Sequence, residues 1–162
     1  MLSKKVQDAL NKQINAELYS SYLYLSMQAH FEQTNLLGFA NWMKVQSTEE
    51  YGHALKIYDF INDRTGKVEL TSIQQPTSKF KSTLEVIQLA YEHEQSVSGM
   101  IHRLYDLAAK ENDFPTQVML QWFITEQVEE EKQALQIVEQ LKMIGDNTPA
   151  FLMLDKQLGE RK

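Results

Sequence analysis

Only three prolines, Pro76, Pro115 and Pro149, punctuate this chain of 162 residues, and none falls inside a long periodic stretch. Proline removes a backbone donor and clashes with the preceding turn, so its scarcity leaves room for very long helices. The first segment runs from Ser3, a plausible side-chain cap, to about Gln33. After a short break at Thr34–Asn35 the second continues to Arg64–Thr65, where Gly66 is a natural stop. "KVELTSIQQPTSKF" carries no helical period. The third segment opens on the capping box Ser82–Glu85 in "STLE" and extends to about Lys110. Asp113 in "ENDFP" caps the fourth, which ends at Ile144 before Gly145. Thr148 as cap, with Pro149 at the first helical position, starts a short fifth helix.

Segments of about 28–32 residues span roughly 42–48 Å each at ~1.5 Å per residue. Tight turns join one to two and three to four, so each pair is antiparallel. The connection from two to three, about fifteen residues, is long enough to travel the length of a bundle. The expected fold is all-α: a four-helix up-down bundle with one long crossover between helices two and three, plus a short C-terminal fifth helix. It is read as one domain over 1–162, with the bundle at about 3–144 and the fifth helix at about 148–158.

Composition removes several function classes. A net charge of −6 argues against nucleic acid as the main partner. Without cysteine there are no disulfides, thiolate metal sites or cysteine nucleophiles, so a metal here needs oxygen and imidazole ligands. Such ligands suit iron, manganese, zinc or magnesium. No run of eighteen apolar residues and no charged-then-apolar leader is visible, so a cytoplasmic protein without a membrane partner is expected.

A bundle helix buries positions alternately three and four apart. Those seams read Val6, Leu10, Gln13, Glu17, Ser20, Tyr24, Met27 and Phe31 in the first segment, and Phe39, Met43, Gln46, Glu50, His53, Ile57 and Phe60 in the second. The third reads Leu84, Ile87, Tyr91, Glu94, Ser98, Ile101, Tyr105 and Ala108; the fourth Leu120, Phe123, Gln127, Glu130, Ala134, Ile137, Leu141 and Ile144. Every seam is apolar at its ends and polar near its middle, and antiparallel packing brings the middles to a similar height. Four buried carboxylates repel and each costs several kcal/mol to desolvate, so without a counter-charge some take up protons.

The simplest counter-charge is a pair of cations bridged by Glu50, with the Glu50-x-x-His53 pair one turn apart on one helix face. A single E-x-x-H is common on helix surfaces; its coincidence with inward acids on three other helices carries the argument. The opposing reading is a shifted register in which the acids face solvent, as in a helical interaction protein. Gln127 is equally a weak ligand or a hydrogen-bond partner. Tyr24, two turns from Glu17, is a core residue or a redox and hydrogen-bonding partner. Glu49, Glu126 and Glu129 form a solvated acidic face or, with Glu130, a third cation site. His30, His93 and His102 fall off the seam and are expected in solvent.

Through "NAELYSSYLYLSM", "FANWMKVQSTEEYGHALKIYDFI", "HEQSVS" and "WFITEQVEEEKQA" the chain resembles the ferritins, specifically the bacterial non-haem type, over nearly all its length. Di-iron carboxylate bundles use a Glu from two helices and Glu-x-x-His from the other two. This chain departs from that scheme, with Gln127-Val-Glu129-Glu130 in place of the second Glu-x-x-His, a departure typical of ferritins proper. Tyr51 stands where bacterioferritins carry their haem-ligand methionine, so no haem is expected.

The resemblance implies iron storage with ferroxidase activity, Fe(II) and O₂ or H₂O₂ being the substrates. It implies that Glu17, Glu50 and His53 hold one iron, and that Glu50, Glu94 and Glu130 hold the second with Gln127 close by. Glu49, Glu126, Glu129 and Glu130 match a third iron site, and Tyr24 the tyrosine beside the centre. A homo-oligomeric shell of twenty-four subunits is implied too, its four-fold axes lined by the fifth helix. The rival within the superfamily is a di-iron oxidase or peroxidase that keeps its metals and stores none.

Overall fold

A computed structural model describes residues Met1–Lys162. Five helices account for the fold: α1 (Lys4–Gln33), α2 (Leu37–Asp63), α3 (Thr83–Lys110), α4 (Phe114–Ile144) and α5 (Thr148–Leu158). No strand occurs, and residues 64–82 cross from the end of α2 to the start of α3 without regular structure. α1 packs along α2 and α3 along α4, α1 and α3 join the two pairs, and α5 docks chiefly on α2. No helix is long and apolar enough to cross a membrane.

The caps explain where the helices begin. Ser3 accepts from the Val6 amide, Ser82 from Glu85 and Asp113 from Thr116, each satisfying a donor that the first turn leaves free. Glu85 closes its box on the Lys81 amide. At α5 the expected cap is corrected: Asn147, not Thr148, accepts from the Ala150 amide, and Thr148 and Pro149 are the first two helical residues. An Asn side chain reaches the third amide as well as Thr does, and the proline lacks a donor at either early position.

The stop after α2 also differs from expectation. Thr65, not Gly66, takes the left-handed conformation (φ 54°), and the Gly66 amide donates back to the Ile61 carbonyl. Asn35 and Asn112 make the same turn after α1 and α3. Gly66 is needed for space, because a Cβ there would sit 2.9 Å from Ile61 and Leu2 side-chain carbons.

Leu36, the N-cap residue of α2, offers no side-chain cap. α5 supplies one, since Asp155 Oδ1 accepts from the Phe39 amide at 3.0 Å. The approach is so close that a Cβ on Gly38 would lie 1.5 Å from the Asp155 carbonyl oxygen. A local defect in α2 therefore fixes where α5 docks.

The core is split. One apolar cluster, including Met27, Phe31, Phe39, Met43, Ile87 and Leu154, fills the end of the bundle nearest α5. A second, with Val6, Leu10, Ile57, Ile61, Ile101 and Leu120, fills the other end. The buried stripe is wider than a strict three-four seam: Ile61, Val86, Ala90, Val97 and Leu104 join it, while Phe60, Leu84, Tyr91, Tyr105 and Ile144 are only half-buried. A helix facing two neighbours buries more than a two-helix seam.

Candidate metal centre

Between the two apolar clusters lies a polar layer contributed by all four long helices. Glu17, Glu50, His53, Glu94, Gln127 and Glu130 are each no more than 6% exposed. That burial excludes the shifted register, in which the acids would face solvent. Three groups of ligand atoms form, each within 4.8 Å: Glu17, Glu50 and His53; Glu50, Glu94 and Glu130; and His53, Glu126 and Glu130. Glu50 belongs to the first two, so one carboxylate is shared between adjacent positions. His53 presents Nδ1 3.2 Å from Glu50 Oε2, as residues three apart on a helix must.

The electrostatics of the layer are unfavourable without a cation. Burial, followed by the charge of Glu50, pushes Glu17 well above the usual carboxylate range. Burial and the charges of Glu94 and Glu130 do the same to Glu50. Glu94 is raised by burial, against hydrogen bonds from Tyr24 and Gln127 that favour its charged form. Glu130 is raised to about 7, by burial first and by Glu94 second. Glu17 Oε2 and Glu50 Oε1 are buried and receive no hydrogen bond from the protein. Buried oxygens with spare lone pairs, on carboxyls whose ionisation burial and mutual repulsion oppose, fit hard cations as counter-charge.

Neutral donors hold the remaining oxygens. Gln13 donates to Glu17 at 2.8 Å, Gln46 to Glu130 at 2.7 Å, and Gln127 to Glu94 Oε2 at 3.1 Å. Tyr24, fully buried, donates its hydroxyl to Glu94. Burial and the Glu94 charge push that phenol well above its ordinary range, so it remains a donor. Glu17, Glu94 and Glu130 are thus each oriented by a group that adds no charge, while Glu50 meets only His53. Gln13 and Gln46 were visible on the seams, yet without an assigned task; the signal was an amide one turn from an inward acid. Trp122, whose ring lies 5.3 Å from His53, was not singled out at all.

The outer acids behave differently from one another. Glu126 joins His53 and Glu130. Glu49 is half-buried and paired with Arg161 at 2.7 Å, and Glu129 is exposed beside Lys132 at 3.5 Å. His93 is a correction, since it is not in solvent. Its Nε2 lies 2.7 Å from Ser20 Oγ, its ring meets Tyr24 edge-on, and burial lowers it to about 4.

The Ferritin-like domain family matches residues 7–144. The chain belongs to the ferritin family. It is 45% identical over 161 residues to the bacterial non-heme ferritin of Bacteroides fragilis, covering 99% of this chain and all of that one. Its identity to the bacterial non-heme ferritin of Staphylococcus saprophyticus is 39%, over 99% of this chain and 96% of that one. Among solved structures, the open pore ferritin of the hyperthermophilic archaeon Archaeoglobus fulgidus superposes with a TM-score of 0.99 at 49% identity, over the whole of both chains. An engineered closed form of the same ferritin matches equally well, over 99% of its length. Iron storage with ferroxidase activity is the function of this family, and the buried carboxylates and histidine form groups of a kind that can hold a metal ion.

Proposed function

We propose that this ferritin oxidises Fe(II) at two adjacent positions in the polar layer, and that the residues are those expected from the sequence. Glu17, Glu50 and His53 hold one ion; Glu50, Glu94 and Glu130 hold the other, with Gln127 orienting Glu94. The observation that carries this reading is the sharing of Glu50 between two ligand groups, beside carboxylate oxygens that lack any donor. Two ions at that spacing let one O₂ take two electrons, giving two Fe(III) and H₂O₂ with uptake of two protons. H₂O₂ as oxidant takes two electrons likewise and leaves water. No one-electron oxygen radical is released.

Hard carboxylates favour Fe(III) over Fe(II), and a single histidine keeps the pair low in nitrogen, so the product leaves and the pair turns over. Tyr24, bonded to Glu94 and beside the pair, is a hydrogen-bonding and redox partner. A third position, formed by Glu49, Glu126, Glu129 and Glu130, flanks the pair and receives iron in transit. The ferric product passes to mineral in the cavity of a shell of twenty-four copies, in the cytoplasm, with α5 lining the four-fold axes. All 162 residues act as one domain in this scheme, and no haem takes part.

Anaerobic Fe(II) titration of the metal-free protein, followed by rapid mixing with O₂, tests the reading. Two or three ions per chain, a fast coloured transient and uptake far beyond that ratio are expected. Saturation at two ions without further uptake would instead identify a di-iron oxidase that stores no iron. No binding at all would sink the whole assignment.

A further inference from the structure

The chain leaving α5 stays against α2, where Asn41 holds the end of the helix and the residues after it by their backbone. Its side-chain amide donates to the carbonyls of Leu158, Gly159 and Arg161, the last at 2.9 Å. This places the Arg161 guanidinium over the Trp42 ring, 4.9 Å from its centroid, with Nη2 2.7 Å from Glu49 Oε2. Trp42 and Glu49 are seven residues apart on α2, hence two turns along one face. The arginine side chain is only 18% exposed.

Glu49 is one residue from Glu50, and its charge bears on both Glu50 and Glu130. It is also a carboxylate of the outer position proposed above, yet the ligand atoms that lie within 4.8 Å of one another include those of Glu126 and not of Glu49. We infer that Arg161 is a built-in cation that occupies Glu49 and sets how tightly the third position holds iron. An arriving Fe(II) exchanges with the guanidinium for the same oxygens. The contact is poised to break: Arg161 Nη1 is buried with no partner, which weakens the closed arrangement. Because the backbone is pinned by Asn41 independently, the side chain is free to leave while the segment stays docked. A third position in competition with an internal cation holds iron weakly, which suits transit rather than retention. Arg161 is in these terms a positioning residue, acting through Glu49.

This inference rests on Glu49 being a ligand of the third position, and the test separates the two. Fe(II) is titrated anaerobically by calorimetry into the metal-free assembled protein and its R161Q, R161K and E49Q variants. R161Q is expected to tighten the third binding step roughly three- to tenfold, the scale of a partly exposed charged contact, with the first two steps unchanged. R161K keeps the positive charge and the wild-type third step, and E49Q loses that step. Should E49Q retain the third step, or should wild type and R161Q both lack one, Glu49 is no ligand and the inference falls with that reading. If E49Q loses the step but R161Q leaves it unchanged or weakens it, the role of Arg161 alone is overturned.

Discussion

The two ends of the bundle and its middle are built from the same four helices to opposite rules. At the ends, side chains such as Phe31, Phe39, Leu10 and Ile57 are fully buried and mutually apolar, so burial itself stabilises them. In the middle, Glu17, Glu50, Glu94 and Glu130 are equally buried, and burial raises the pKa of every one of them. The ends therefore hold the fold while the middle is tolerated by it, and the cost of the middle falls when cations enter. Separation along the helix axis is what lets one bundle do both.

Replacing Glu50 with Ala breaks that contrast most sharply. Loss of the shared carboxylate is expected to slow Fe(II) oxidation by more than the ~10–100-fold that removal of an outer-shell partner costs. The metal-free protein should melt at the same temperature or higher, because a buried carboxyl with an unpartnered oxygen has gone. Unchanged oxidation kinetics, or a melting point several degrees lower, would make Glu50 structural.

Phe31→Ala makes the opposite change. It should cost about 3–5 kcal/mol in denaturant unfolding, yet leave the number of Fe(II) bound per folded chain unaltered. A variant that folded normally but bound fewer ions would show that the end and the middle are coupled.

Protons bind the middle of the bundle and not its ends. Glu130 is raised to about 7, so near neutrality it carries a proton that Fe(II) must displace. Proton release per ion, from calorimetry in buffers of different ionisation heat, should rise as pH falls from 8 to 6 and shrink in Glu130→Gln. A carboxyl whose folded pKa lies above its unfolded value stabilises the metal-free fold most below about 4.5, and this contribution is lost as pH rises through about 7. Proton release independent of pH would remove Glu130 from the ligand set.

The smallest effect lies outside both regions. Thr65 is β-branched at φ 54°, a conformation that disfavours side chains with a Cβ. Thr65→Gly should raise stability by about 0.5–1 kcal/mol with iron binding untouched. A loss of stability would mean that the Thr65 hydroxyl, bonded to the Arg64 carbonyl, matters more than the strain.

Much of this was legible in one dimension. The helix limits followed from caps and proline scarcity, and Glu17, Glu50, His53, Glu94 and Glu130 followed from a seam that turned polar at the same depth on four helices. What was not legible has local causes. Asn147 and Thr148 are both capping residue types, and the proline that follows fits the first or second helical position, so spacing does not separate them. Gly66 is the usual left-handed residue, yet Thr65 beside it takes that conformation. His93 falls off the three-four seam, yet α1 lies close enough for Ser20 and Tyr24 to cover it.

Periodicity is a property of the chain, so residue order alone says which faces of which helices turn inward, and with them that an acidic layer is buried. Contacts between residues far apart in the chain are not periodic, and they emerge only once the helices have packed. Gln46 reaches across to Glu130 rather than to Glu50 on its own helix. Asp155 caps α2, and Arg161 lies on Glu49, 112 positions away. Spacing along a helix says which way a side chain points, but what it meets depends on where the other helices have packed.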